Sequence, residues 1–118
     1  MPAYQFTDVI ESAGDKPINV RAQISVVKTE DGGRQGPFTH GYRPNHNFGG
    51  PDDRVFFIGQ IEVGEGKWIH PGEECEAVVR FLNVRGLSEL LDVGRVWRIQ
   101  EGPKLVAKAK VIARIENA

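Results

Sequence analysis

The chain contains one cysteine, Cys75, which excludes an internal disulfide framework and a cysteine-rich zinc site. Cys75 lies in an alternating run, where a small buried apolar side chain is expected rather than a reactive thiol. Long apolar runs are missing as well. No stretch approaches the roughly 18 residues that a membrane-spanning helix needs, and the first residues lack the charged-then-apolar order of a secretory signal. The expected location is therefore cytoplasmic, with no membrane partner. Charge of one sign is also lacking: 15 Lys and Arg stand against 16 Asp and Glu, giving a net charge of −1 and a pI near 6.3. No global positive field draws in nucleic acid, so any such binding needs a local patch.

Complete catalytic and nucleotide motifs are absent too. Gly64-Glu65-Gly66-Lys67 is followed by Trp68 where a phosphate-binding loop needs Ser or Thr, and Ile61 stands where its first glycine belongs. The segment reads as a turn. His40 and His46, separated by Pro44, fit no common metal spacing and are expected as surface histidines. No Ser/His/Asp order or paired-carboxylate spacing favours a mechanism. We expect no enzyme, no metal site and no cofactor; a small-molecule enzyme using His40, His46 or His70 is a remote alternative.

What is present suits one soluble globular domain: 118 residues, 40% hydrophobic and 26% charged. Residues 3–11 hold enough aromatic and β-branched side chains for a short strand of open pairing, followed by a turn at Gly14-Asp15-Lys16-Pro17. Residues 18–27 alternate cleanly, with Ile18, Val20, Ala22, Ile24 and Val26 on one face. Residues 55–63 read as a strand whose Gly59 marks a bulge or a close approach. In residues 74–82, Cys75, Ala77, Val79 and Phe81 point inward; residues 86–91 suit one helical turn. Residues 94–100 place Trp97 and Ile99 on one face and Arg98 and Gln100 on the other. In Lys104–Ile115 composition favours helix but period favours strand, with Leu105, Ala107, Ala109 and Val111 sharing a face and Lys108 and Lys110 facing away with Val106. Glu101-Gly102-Pro103 supplies the turn before it. Short strands with Gly and Pro turns and no long helix predict an all-β barrel or sandwich, with Ile24, Val26, Val79, Phe81, Trp97 and Val111 buried.

The stretch over residues 28–48, KTEDGGRQGPFTHGYRPNHNF, is polar and glycine-rich yet lies between apolar strand-like runs, as an ordered loop would, and Gly41 to Phe48 reads as the start of a second strand with Tyr42 or Phe48 inward. Gly32, Gly33 and Gly41 allow backbone angles that other residues resist, and Pro37 and Pro44 stiffen the exits. Arg34 and Arg43 supply planar forks suited to phosphate or carboxylate. The plain alternative is a set of turns between strands.

In order and spacing, Lys28, Gly32-Gly33-Arg34, Pro37-Phe38 and Gly41-Tyr42-Arg43-Pro44 resemble the start of the C-terminal (third) domain of bacterial elongation factor Tu. The resemblance covers roughly residues 18–115 and is strongest in the first third. It implies a six-stranded antiparallel Greek-key barrel over residues 18–118, with residues 1–17 as an N-terminal extension and a possible extra strand. It also implies no chemistry. In that family the barrel packs on a second barrel and touches the GTPase domain, the T-stem backbone of aminoacyl-tRNA and the nucleotide-exchange factor. This chain carries no GTPase domain, so no GTP binding is expected.

Carried over position by position, the resemblance makes Arg34 the leading candidate for a tRNA-backbone contact. Glu101-Gly102 matches the family's Glu-Gly turn near the same backbone, with a plain hairpin as the other reading. Asn45 replaces a glutamine, and Ile58 replaces a threonine whose hydroxyl contact is lost. Val106-Ala107-Lys108-Ala109-Lys110 replaces a glycine-rich strand. The chain is longer than the family pattern between Phe48 and Gly59, beside the candidate surface. We expect a binding module docking on a protein or tRNA partner of the translation machinery through Arg34, Arg43, Asn45, Glu101, Gly102 and Lys104. In this reading Gly32, Gly33, Pro37, Gly41, Tyr42 and Pro44 shape the loop, Arg34 has an exposed guanidinium and Tyr42 anchors. The alternative is a regulatory or decoy mimic of elongation factor Tu that engages its exchange factor, a ribosomal component or a toxin.

Overall fold

The structure, a computed structural model, describes residues 16–115. The strand expected over residues 3–11 therefore lies outside the described residues, as does most of the 1–17 extension. The strands are β1 (Ile18–Val26), β2 (Phe38–Thr39), β3 (Asn45–Asn47), β4 (Phe57–Glu62), β5 (Trp68–Ile69), β6 (Glu74–Phe81), β7 (Val96–Glu101) and β8 (Lys104–Ile115). Six of them close a barrel in the order β1-β6-β4-β3-β7-β8, every neighbouring pair antiparallel. Strands β3, β4 and β6 are consecutive neighbours around the barrel, and β7 returns beside β3, which is a Greek key. The remaining strands, β2 and β5, pair as a small separate sheet. Among the described residues, no helix is long and apolar enough to cross a membrane.

The period-2 pattern explains the core. Ile18, Val20, Ala22, Ile24 and Val26 are buried along β1, and Ala77, Val79 and Phe81 along β6. All six side chains expected inside, Ile24, Val26, Val79, Phe81, Trp97 and Val111, are buried. Phe48 stacks on Trp97 at 5.2 Å between ring centroids, and Phe57 and Phe81 complete the cluster. Each fully buried large side chain, such as Phe81 or Ile24, contributes on the order of 1.5–3 kcal/mol, and the partly buried Phe48 and Phe57 less. The turn at Ser88–Leu90 is a 3-10 helix, flanked by the fully buried Leu87 and Leu91.

Four expectations need correction. The single strand expected from Gly41 onward is interrupted: between β2 and β3, Tyr42 makes one isolated bridge, to Ile61. His46 is not a surface residue but fully buried, because the inward phase of β3 falls on it. Its Nδ1 accepts from Trp97 Nε1 at 3.0 Å, and its Nε2 lies 3.1 Å from the Gly59 carbonyl. Gln100 is also buried rather than outward, since the β7–β8 register shifts between Ile99 and Gln100. Its amide pairs with Asn47 Nδ2 at 2.8 Å and the Gly102 carbonyl at 2.9 Å, as a buried polar group requires. The same irregularity buries Val106 and Ala107 together, breaking the alternation expected along β8.

Gly59 marks a close approach of side chains. A Cβ there would lie 2.9 Å from both His46 Nε2 and a ring carbon of Phe81. Cys75 is half-buried on β6, and burial raises its thiol pKa, with Glu73 adding to the effect.

Candidate functional site

The loop over residues 28–48 is ordered by its own chemistry. A 3-10 turn at Thr29–Asp31 ends on Gly32, whose φ of 97° lies in the left-handed region that glycine tolerates best. Gly33 is required for a different reason: a Cβ there would fall 2.4 Å from the Val27 carbonyl oxygen. Thr29 Oγ1 then donates to the Arg34 carbonyl at 2.6 Å. This close-packed start fixes the direction in which Arg34 leaves the backbone.

Arg34 does not project into solvent as expected; its side chain is 24% exposed. Nε donates to the Gly36 carbonyl at 3.1 Å, Nη2 to the Pro37 carbonyl at 3.2 Å, and Nη1 to both the Tyr42 hydroxyl and the Glu101 carboxylate. Four of the five guanidinium N–H groups are thereby used inside the fold, leaving one for a partner. The Tyr42 hydroxyl donates to the same Glu101 oxygen, the Tyr42 ring stacks on Phe38 at 4.6 Å, and the Arg34 guanidinium lies over it at 4.9 Å. Arg34, Tyr42 and Glu101 form a clamp that ties the loop to the turn between β7 and β8. Glu101 was expected as a contact residue; here its carboxylate closes the clamp.

The electrostatics agree with the geometry. Burial alone would lower the Arg34 pKa, but hydrogen bonds to Tyr42 and Glu101 outweigh it and the pKa is raised. Burial pushes the Tyr42 phenol well above its usual range, and the Glu101 carboxylate reinforces the shift.

The remaining expected contacts divide. Arg43 is exposed, and its Nε donates to Gln60 Oε1 at 2.9 Å. Asn45 is partly exposed and sits between Ile58 and Gln100 in the barrel. Gly102 takes a φ of 60° in the β7–β8 turn, which the Glu101–Lys104 pair closes with Lys104 exposed. Pro44 is buried between Arg43 and Asn45, and Gly41 takes a φ of 93°. The segment between Phe48 and Gly59 packs near the β7–β8 turn, where Asp53, Arg54 and Phe56 with Gln100 and Gly102 line a cavity of about 480 Å³.

Arg43 is joined by polar residues that the sequence did not single out for contact. On the outer face of β4 and β6, Lys16, Arg43 and Arg80 rim a cleft of about 260 Å³ that Ile58, Gln60 and Leu82 also line. Gln60 lies directly opposite Arg80 in the β4–β6 register. A polar relay fixes the rim: Arg43 bonds Gln60, Gln60 Nε2 donates to Glu62 at 3.2 Å, and Glu62 stands 3.9 Å from Arg80. Among the described residues, the guanidinium nitrogens Nη1 and Nη2 of Arg43 take no hydrogen-bond partner, so its fork can meet a carboxylate or phosphate. Outward phase in the strand over residues 74–82 was the only sequence signal for Arg80, and Gln60 had none. No family model matches the chain.

Proposed function

We propose that the chain is a non-catalytic binding module, like the C-terminal domain of elongation factor Tu, that docks on a protein or RNA partner of the translation machinery without GTPase activity. The docking surface is the outer face of β3, β4 and β6, with Arg43, Asn45 and Arg80 as contacts. One observation carries this reading: the residues that make up the Gly-Gly-Arg and Gly-Tyr-Arg-Pro resemblance converge on the Arg34–Tyr42–Glu101 clamp. The clamp holds the loop rigid while Arg43, next to Tyr42, faces solvent. Pre-organisation of this kind reduces the entropy lost on binding.

The histidines that a catalytic reading would use are engaged in the fold. Burial lowers the His46 pKa to about 4, so it is neutral at pH 7. His40 Nδ1 accepts from the Gly64 N–H at 3.0 Å, and His70 pairs with Glu73 in a surface turn.

The test is titration of the labelled protein with purified tRNA, ribosomal subunits and the nucleotide-exchange factor of elongation factor Tu. Saturable binding to one of them, weakened by Arg43→Ala combined with Arg80→Ala, is expected. Absence of saturable binding to all three, or stoichiometric GTP binding by calorimetry, overturns the proposal.

A further inference from the structure

The outer face of β7 and β8 carries charge that the fold does not answer. Arg98 and Lys108 stand directly opposite each other, and Lys110 follows two residues along on the same side of β8. Like charges placed opposite each other destabilise a strand pair. Among the described residues, none of the three takes part in an ion pair. Arg98 uses its Nε–H on Gln100 Oε1 at 3.1 Å, and its terminal nitrogens stay available. Glu74 and Glu76 lie on β6, beyond β1: Lys108 pairs with Ser25 and then Glu74, and Lys110 with Gln23 and then Glu76. Two strand spacings put their backbones about 10 Å from those of the lysines, and Lys108 shares a surface cleft with Asp31, Glu73 and Glu74 without forming an ion pair with any of them, so solvent and salt screen these charges.

Apolar surface adjoins the cations. Val96, opposite Lys110, is 54% exposed, Val93 is 67% exposed and Ile112 36%. The Gly94 N–H donates to the Val111 carbonyl, and the Val111 N–H donates to the Arg95 carbonyl, so the turn carrying Val93 runs along β8 at Ile112. Of the six exposed large hydrophobic side chains among the described residues, three thus share this face instead of standing singly. Asp92 lies on the same turn, and Arg95 there is turned toward the Phe48 carbonyl at 3.2 Å.

We propose that this face docks an acidic, amphipathic segment of a protein partner. Its carboxylates meet Arg98, Lys108 and Lys110, and its apolar side chains cover Val93, Val96 and Ile112. An RNA backbone would satisfy the cations and leave the apolar half uncovered, so the patch as a whole selects protein. In the closed order of six strands, β7 and β8 lie across the barrel from β6 and β4. The segment therefore leaves the Arg43 face free, and a module occupied on both sides joins two partners.

The experiment is a titration of ¹⁵N-labelled protein with a synthetic peptide of alternating Glu and Leu, run beside an oligouridylate of equal charge. The peptide is expected to shift the amides of residues 93–98 and 108–112 and to leave β4 unmoved. Arg98→Ala with Lys108→Ala is expected to weaken the peptide at least about fivefold, and Val96→Ser with Ile112→Ser also to weaken it. Dispersion in the same spectra shows that each variant is folded. Shifts confined to β4 and β6, oligouridylate binding this face when the peptide does not, or unchanged affinity in the serine variant would each overturn the proposal. Shifts confined to β4 and β6 would report binding at the Arg43 face, and none of these outcomes counts against that face, so the two proposals fail separately.

Discussion

Replacing Arg34 by alanine separates a clamp from a free surface arginine. The change removes four donated hydrogen bonds, two to backbone carbonyls, one to Tyr42 and one to Glu101, and leaves the Glu101 carboxylate with the Tyr42 hydroxyl alone. A hydrogen bond to a charged group is worth about 1.5–3 kcal/mol when buried, and a neutral one about 1 kcal/mol. The ion pair is partly open to water, with 24% and 36% of the two side chains exposed, so solvent reclaims much of this. The expected loss is about 2–3 kcal/mol, well above the about 0.5 kcal/mol typical of a surface substitution. At roughly 4 °C per kcal/mol for a domain of this size, the melting temperature should fall by about 8–12 °C. Circular dichroism during heating measures it. Arg34→Lys keeps the charge and loses the fork, and it should recover less than half of the loss. A double-mutant cycle with Glu101→Gln should show coupling of about 1 kcal/mol or more. If Arg34→Ala melts within about 2 °C of the parent, the clamp reading is refuted.

Three further outcomes are expected. His46 is buried and neutral with its pKa lowered to about 4 from 6.5, so the unfolded chain binds the proton first and stability is lost as pH falls through that interval; the loss is about 3 kcal/mol, read by urea unfolding between pH 7 and pH 4, and a His46→Gln variant should flatten the profile. Tyr42 is displaced the other way: its raised pKa means the unfolded chain releases the proton first, so stability declines above about pH 10 in the parent and less steeply in Tyr42→Phe, followed by the same unfolding assay. Gly59→Ala should destabilise by about 1–3 kcal/mol through crowding of His46 and Phe81, and a variant as stable as the parent in chemical denaturation would contradict the packing described for that point.

Much of the barrel was legible because alternation reports one face directly. Residues 18–27 and 74–82 were assigned to within a residue of β1 and β6, and their inward faces match the buried ones except at Cys75, which is half-buried near the start of β6. Where a single residue shifts the register, period 2 gives the wrong face: Gln100 and Val106 were both placed outward and are buried. His46 was misassigned because three residues of strand are too few to show a phase, and because histidine beside Asn and Pro reads as loop. The site was legible in part. Gly32 and Gly33 were assigned a shaping role from residue type alone, whereas the pairing of Arg34 with Glu101 joins positions 67 apart and depends on the fold. Arg80 was invisible for the same reason, since only the β4–β6 register sets it opposite Gln60.

The central claim is that the clamp and the contact are different residues, one set holding the loop and the other meeting the partner. Equilibrium binding of the partner found among tRNA, ribosomal subunits and exchange factor, measured for Arg43→Ala and Arg34→Ala beside their melting curves, tests it most directly. Arg43→Ala should lose affinity by at least about tenfold, equivalent to 1.4 kcal/mol, with an unchanged melting temperature. Arg34→Ala should lose melting temperature, and at a temperature where it is folded it should bind within a few-fold of the parent. Full affinity in Arg43→Ala, or lost binding in Arg34→Ala with an intact melting temperature, would contradict the account.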